Sequence, residues 1–168
     1  MYFEAIGQMK KMLGQLDKWL EAAGTYAQTK NFDPNVIVGL RLAPDQFAFA
    51  RQIQSCCDSA KFAAFRLAGK ETPKQEDNEK TLDELRARVR STIGLLDGFT
   101  AQDFAEAATR KVAQPRWEGK WMTGPDYFLE HAQPNFFFHL NHAYAILRHN
   151  GVNIGKRDYL GPLSLHNP

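Results

Sequence analysis

Five side chains able to do chemistry fall on one arc of a single segment. The stretch Pro134-Asn-Phe-Phe-Phe-His139-Leu-Asn-His142-Ala-Tyr-Ala-Ile-Leu-Arg148-His149-Asn-Gly151 has a helical pattern and three of the five histidines. At roughly 100° per residue, Asn135, His139, His142 and His149, with His131 if the helix begins that early, lie within about a quarter turn of one another. Imidazole can accept a proton, donate a hydrogen bond or ligate a metal near neutral pH. His139, after three phenylalanines, is expected to be buried and needed. His131 and His149 are expected near helix ends as surface or capping groups, and His166 lies in the tail. Two groups from elsewhere could complete a pocket with His139 and Asn135. Gln52 sits among apolar neighbours and so needs partners if buried. Asp45 is placed at the start of the helix carrying Gln52 and offers a carboxylate.

Other chemistries find no support in the sequence. There is no glycine-rich phosphate loop, Ser-His-Asp order or Cys-x-x-Cys pair, and Gly151-x-x-x-Gly155 follows a helix rather than a strand. Cys56 and Cys57 are adjacent, so their helical directions diverge and a bridge is not expected; they read as small core residues, and free thiols fit a reducing cytoplasm. The net charge of +2 comes from scattered residues, so neither nucleic acid nor a membrane surface is expected as partner. No apolar run reaches spanning length, and Met1-Tyr-Phe-Glu does not look like a signal peptide.

These residues must be positioned by helices. Tyr2, Ile6, Met9, Leu13, Leu16, Leu20 and Ala23 recur at three and four, predicting helix one from residue 2 to the high twenties, with Gly24 near its end. Asp33-Pro34 restarts the chain in a short turn. Helix two is expected from Pro44 to Leu67, with stripes Phe47, Ala50, Ile53, Cys57, Ala60, Ala64, Leu67 and Phe49, Gln52, Cys56, Ala63. Gly69 ends it, and residues 70–80 read as an exposed loop. Thr81-Leu-Asp-Glu84 is a capping box for helix three, whose core stripe is Leu82, Leu85, Val89, Ile93 and Leu96. Glu84, Arg86, Arg88 and Arg90 read as its solvated face. Residues 109–113 and 117–121 predict a small hairpin, with Trp117 and Trp121 covering the core or, alternatively, lining a ligand mouth. Thr123-Gly-Pro125 opens helix four, Pro134 is expected to kink or break it, and the tail from Val152 to Pro168 is expected to run extended.

The blocks Arg41-Leu-Ala-Pro-Asp45, Asp77-Asn, Pro134-Asn-Phe-Phe-Phe-His139, Ala143-Tyr-Ala-Ile-Leu-Arg-His-Asn-Gly151-Val and Gly155-Lys-Arg-Asp-Tyr-Leu-Gly161 resemble a bacterial family of unassigned function. That family is placed in the DinB/YfiT-like superfamily, whose members are read as metalloenzymes. The resemblance covers almost the whole chain. It implies an all-α domain over residues 1–168: a four-helix bundle with up-down-down-up connectivity and one long crossover, commonly a homodimer. It also implies a divalent metal, zinc or nickel, held by one histidine from helix two and a His-x-x-x-His pair from helix four. This sequence departs from that pattern. Helix two has no histidine, Gln52 or Gln54 stands in its place, and His139 and His142 are three apart, with Ala143 where the second of the pair would fall.

Three readings remain open. In one, a polar pocket of Asp45, Gln52, Asn135 and His139 binds a small molecule without a metal. In another, His139 and His142 with a carboxylate hold a metal, and the superfamily implies a thiol-linked transferase, isomerase or hydrolase. In the third, the same groups satisfy one another in a non-catalytic dimeric interaction module.

Overall fold

The structure, a computed structural model, describes residues 1–166; Asn167 and Pro168, part of the expected tail, lie outside the described residues. Four long helices carry the fold: α1 (Tyr2–Lys30), α2 (Phe49–Ala68), α3 (Leu82–Asp97) and α5 (Gln133–His149). A short α4 (Gly124–Asp126) precedes α5, and α6 (Lys156–Leu160) follows it.

Side-chain pairs fix the directions. Lys10 Nζ lies 2.6 Å from Asp97 Oδ1, so the start of α1 meets the end of α3 and the two are antiparallel. Arg88 pairs with Asp58 at 2.9 Å, and the Phe65 and Phe99 rings meet at 4.9 Å. Both positions advance together, so α2 and α3 are parallel. Asn135 meets Ser59 and His139 meets Gln52, each at 2.8 Å, in opposite order along the chain; α5 is therefore antiparallel to α2. With α1 up, the order is up-down-down-up. Parallel neighbours need a crossover that retraces the bundle, and residues 69–81 make it.

The core is continuous across the bundle. Ile6, Met9, Leu13, Leu16 and Leu20 of α1 pack with Ile53, Cys57, Ala60 and Leu67 of α2, Leu85, Val89 and Leu96 of α3, and Phe136, Leu140, Ala143 and Leu147 of α5. Burying each large apolar side chain contributes about 1.5–3 kcal/mol.

Local signals explain most boundaries. The Thr81 hydroxyl accepts from the Glu84 N–H at 3.2 Å, and the Glu84 carboxylate accepts back from the Thr81 N–H at 3.1 Å. Gly69, at φ 67, stops α2 in the left-handed region that glycine tolerates.

Several expectations are corrected. Helix one ends close to its expected end, at Lys30, with Asn31 rather than Gly24 taking the left-handed stop at φ 57. Helix two starts at Phe49 rather than Pro44, because Leu40 and Ala48 carbonyls take the Phe49 and Gln52 N–H groups and residues 41–48 remain irregular. The hairpin pairs Lys111–Ala113 (β1) with Trp121–Thr123 (β2); its second arm begins later than expected because Pro115–Trp117 forms a 3-10 turn. Pro134 does not break the last helix. The chain enters it through a π-helical segment, Tyr127–Ala132, just before the proline, a local widening that absorbs the missing N–H. The tail is not simply extended: α6 is held by Trp19, whose Nε1 donates to the Asp158 carbonyl at 3.1 Å and whose ring stacks on Tyr159.

The crossover is also more than an exposed loop. Arg88, expected on a solvated face, is only 4% exposed. It donates to the Glu76 carbonyl (3.0 Å), Glu79 (3.0 Å), Asp58 (2.9 Å) and Asp77 (3.1 Å). Buried Lys61 reaches Asp58 and Gln75, both at 2.9 Å. These two cations clamp the crossover onto α2 and α3.

Candidate functional site

Two stripes at helical spacing face each other across one side of the bundle. On α2 they are Arg51, Ser55, Asp58, Ser59, Phe62 and Arg66; opposite stand Tyr127, His131, Asn135 and His139. Side chains four apart share a face, so both rows look into one cleft of about 430 Å³. Gln114, Pro115 and Arg116, from the turn between β1 and β2, form its third wall. A cleft of about 400 Å³ between α1 and α3 is less suited to a ligand: its Arg86 is paired with Asp17 and Glu21, and Asn35 Oδ1 already accepts the Leu82 N–H.

At the upper end, His139 is 8% exposed, with Nδ1 at 2.8 Å from Gln52 Oε1. Gln52 Nε2 donates to the Phe47 carbonyl at 3.3 Å, which orients the amide with its oxygen toward the imidazole. The hydrogen-bond network therefore assigns the proton to Nδ1 and leaves Nε2 as an acceptor. Burial, with His142 and Arg51 nearby, pulls the His139 pKa down to about 4, so the ring is neutral at pH 7. Asn135 Nδ2 donates to Ser59 Oγ at 2.8 Å, and Ser59 donates to the Ser55 carbonyl at 2.7 Å.

At the lower end, Tyr127 and His131 rings stack 5.6 Å apart, four residues apart on the π-helical segment. Arg66 Nη1 donates to Tyr127 Oη at 3.3 Å, and Arg116 Nη2 meets His131 Nε2. Burial first, then Arg116 and Arg66, lower the His131 pKa. Burial raises that of Tyr127. His131 is therefore a half-buried part of the wall rather than a surface group, and Trp117 packs behind it at 5.5 Å.

The expected site residues divide. Gln52 and His139 are bonded to each other, and Asn135 lies on the same cleft wall. Asp45 lies on the irregular segment, exposed, with no hydrogen bond or ion pair to them. Its placement follows from the late start of α2. His142 has both nitrogens engaged: Nδ1 with the Phe138 carbonyl at 2.7 Å and Nε2 with Gln46 Nε2 at 3.3 Å. The residues present do not fit a three-histidine metal centre. Gln52 stands opposite His139, His142 has no free lone pair in this arrangement, and no group of three or more His, Cys, Asp and Glu side chains among the described residues is arranged to hold a metal.

Cys56 and Cys57 are buried in the core, and burial pushes the Cys57 thiol up to about 12, so neither supplies a thiolate at neutral pH. Reading the sequence for histidines missed Ser59, Arg66, Gln114 and Arg116. Ser59 and Arg66 were traceable as a polar row with Arg51 and Ser55 on α2. Gln114 and Arg116 reach the cleft only through the tertiary placement of the hairpin.

A family model described as "Domain of unknown function (DUF1993)" matches residues 1–160. No curated protein matches the chain. Among solved structures, the crystal structure of a DinB family member protein from Shewanella denitrificans at 1.83 Å resolution is similar at 47% sequence identity and a TM-score of 0.93, over 97% of this chain and 93% of that one.

Proposed function

The chain belongs to the DUF1993 family, within the DinB-like superfamily, and from that premise we propose that it binds a small molecule in the cleft between α2 and α5 without a three-histidine metal centre. The observation that carries this reading is the Gln52–His139 pair. It commits Nδ1 as the donor inside the protein and turns the other ring nitrogen into an acceptor for a ligand N–H or O–H. The Phe47, Phe62 and Tyr127 rings give the cleft apolar surface beside its fixed polar groups, the combination that lets a concave site both bury and orient a ligand.

The same pair favours binding over proton transfer. A general base works best with a pKa near the working pH, and a value of about 4 makes His139 a weak one at pH 7. Its role in this reading is to orient a ligand donor.

Fragments carrying one N–H or O–H donor, such as phenols and anilides, test the reading by saturation-transfer NMR. Binding to the wild-type chain that disappears in His139→Ala and persists in His149→Ala supports it. Fragment binding indifferent to His139→Ala ends it.

A further inference from the structure

Arg66 and Arg116 converge on the lower end of the cleft with no carboxylate between them. Among the described residues, Arg51, Arg86, Arg88, Arg90 and Arg110 each touch an acidic group, whereas Arg66 and Arg116 touch only the neutral acceptors Tyr127 Oη and His131 Nε2. Those two rings are stacked, so both guanidinium groups reach one aromatic pair on the same wall. Arg66 is further fixed by the Phe62 ring, 4.4 Å beneath it. A guanidinium carries five N–H donors in a rigid fork, and most of them remain unused here.

Two further observations point to a missing acceptor. Gln114 Nε2, on the same wall, is buried without a hydrogen-bond partner; a buried unpaired donor costs about 1–3 kcal/mol. The carboxylate lining the cleft, Asp58, already serves Arg88 and Lys61 and does not neutralise the two arginines. This end of the cleft is thus rich in donors and short of anionic acceptors.

We propose that Arg66, Arg116 and Gln114 form an oxyanion subsite that takes the carboxylate or phosphate of the cleft ligand. The assignment rests on the cleft being a ligand site and narrows the ligand class: an acid group at the hairpin end and a hydrogen-bond donor at the His139 end. Forked guanidinium groups suit either oxyanion.

Inorganic phosphate and acetate, each titrated against chloride at constant ionic strength, separate the two oxyanions. Arginine Nε–H resonances report binding, and Trp117 fluorescence provides a second signal, since its ring packs on Tyr127 and His131. Saturation by one anion is expected, with affinity about tenfold weaker in Arg116→Gln and in Arg66→Gln and unchanged in Arg148→Gln. Arg116 lies on an exposed turn, so its variant is expected to fold, and Arg66→Lys covers the case where Arg66→Gln does not. Failure of both anions to saturate, or saturation indifferent to Arg66 and Arg116 changes, overturns the subsite. The fragment titration separates the two readings: anion saturation that depends on Arg66 and Arg116, in a wild-type chain to which no fragment binds, leaves the subsite standing and removes the His139 reading.

Discussion

Gln52 and His139 meet at 2.8 Å across α2 and α5, and the Phe47 carbonyl decides which way the pair is polarised. Gln52→Leu removes the acceptor from His139 Nδ1 and leaves a buried N–H unpaired. The expected cost is about 1–3 kcal/mol in urea denaturation. In the wild-type chain, imidazole ¹⁵N shifts are expected to show the Nδ1–H tautomer, and that preference should weaken in the variant. A wild-type spectrum showing Nε2–H instead would reverse the proposed polarity of the site.

The same histidine predicts a pH dependence of stability. Its folded pKa is about 4 against an ordinary 6.5. Between those values the unfolded chain binds a proton that the folded chain does not, so stability falls as pH is lowered through this window. Above pH 6.5 nothing is lost, and the loss grows to at most about 3 kcal/mol by pH 4. His131 shifts in the same direction, so the measurement is a difference: the stability of wild type minus His139→Gln, followed from pH 7.5 to about 4. A flat difference contradicts the buried, neutral assignment.

Arg88 predicts a larger effect from a position that looks like surface in the sequence. Arg88→Met removes the cation shared by Asp58, Asp77 and Glu79; Asp58 keeps Lys61 and Asp77 keeps Arg51, while Glu79 loses its cation at the root of the crossover. Losing one partner of a buried ionic network costs about 3–5 kcal/mol. Arg88→Lys is expected to recover little, since one ammonium cannot span the three carboxylates and the Glu76 carbonyl. Faster tryptic cleavage at Lys74 and Lys80 should accompany the loss. A cost below about 0.5 kcal/mol, the range of ordinary surface changes, would show the clamp to be idle.

Arg88 also shows where sequence reading stops. Helix periods and caps are local, so Thr81–Glu84, Gly69 and the apolar stripes were legible from spacing alone. On a helical wheel Arg88 and exposed Arg90 flank the apolar stripe on opposite sides at similar angles, so angle alone does not mark either as buried; what buries Arg88 is a crossover folded back from residues 69–81. Pro44 signals a helix start that would bring Asp45 to the cleft, but the Phe49 N–H bonds the Leu40 carbonyl instead, a contact that local sequence does not carry. His139, Asn135 and Gln52 were legible because helix angle and apolar neighbours together mark a polar group that must find a partner. Arg116 joins the cleft through the turn between β1 and β2, and nothing in its neighbours announces that.

The last prediction concerns association. Phe138 is 54% exposed and Phe47 51% exposed. Phe138 lies against the His142 and His139 rings at 4.1 and 5.2 Å, and Phe47 stacks on His139 at 6.3 Å. Two large exposed rings therefore flank one buried histidine, while Phe137 is partly buried against the core. We propose that a second copy of the chain covers this aromatic patch, since one patch repeated about a two-fold axis can be self-complementary. Size exclusion with light scattering is expected to give about twice the chain mass of 19.1 kDa. Phe138→Glu should yield the monomer mass with stability changed by no more than about 0.5 kcal/mol, because the ring is mostly outside the core. A wild-type chain that stays monomeric at millimolar concentration would refute the dimer. A dimer unaffected by Phe138→Glu would move the interface to another face of the bundle.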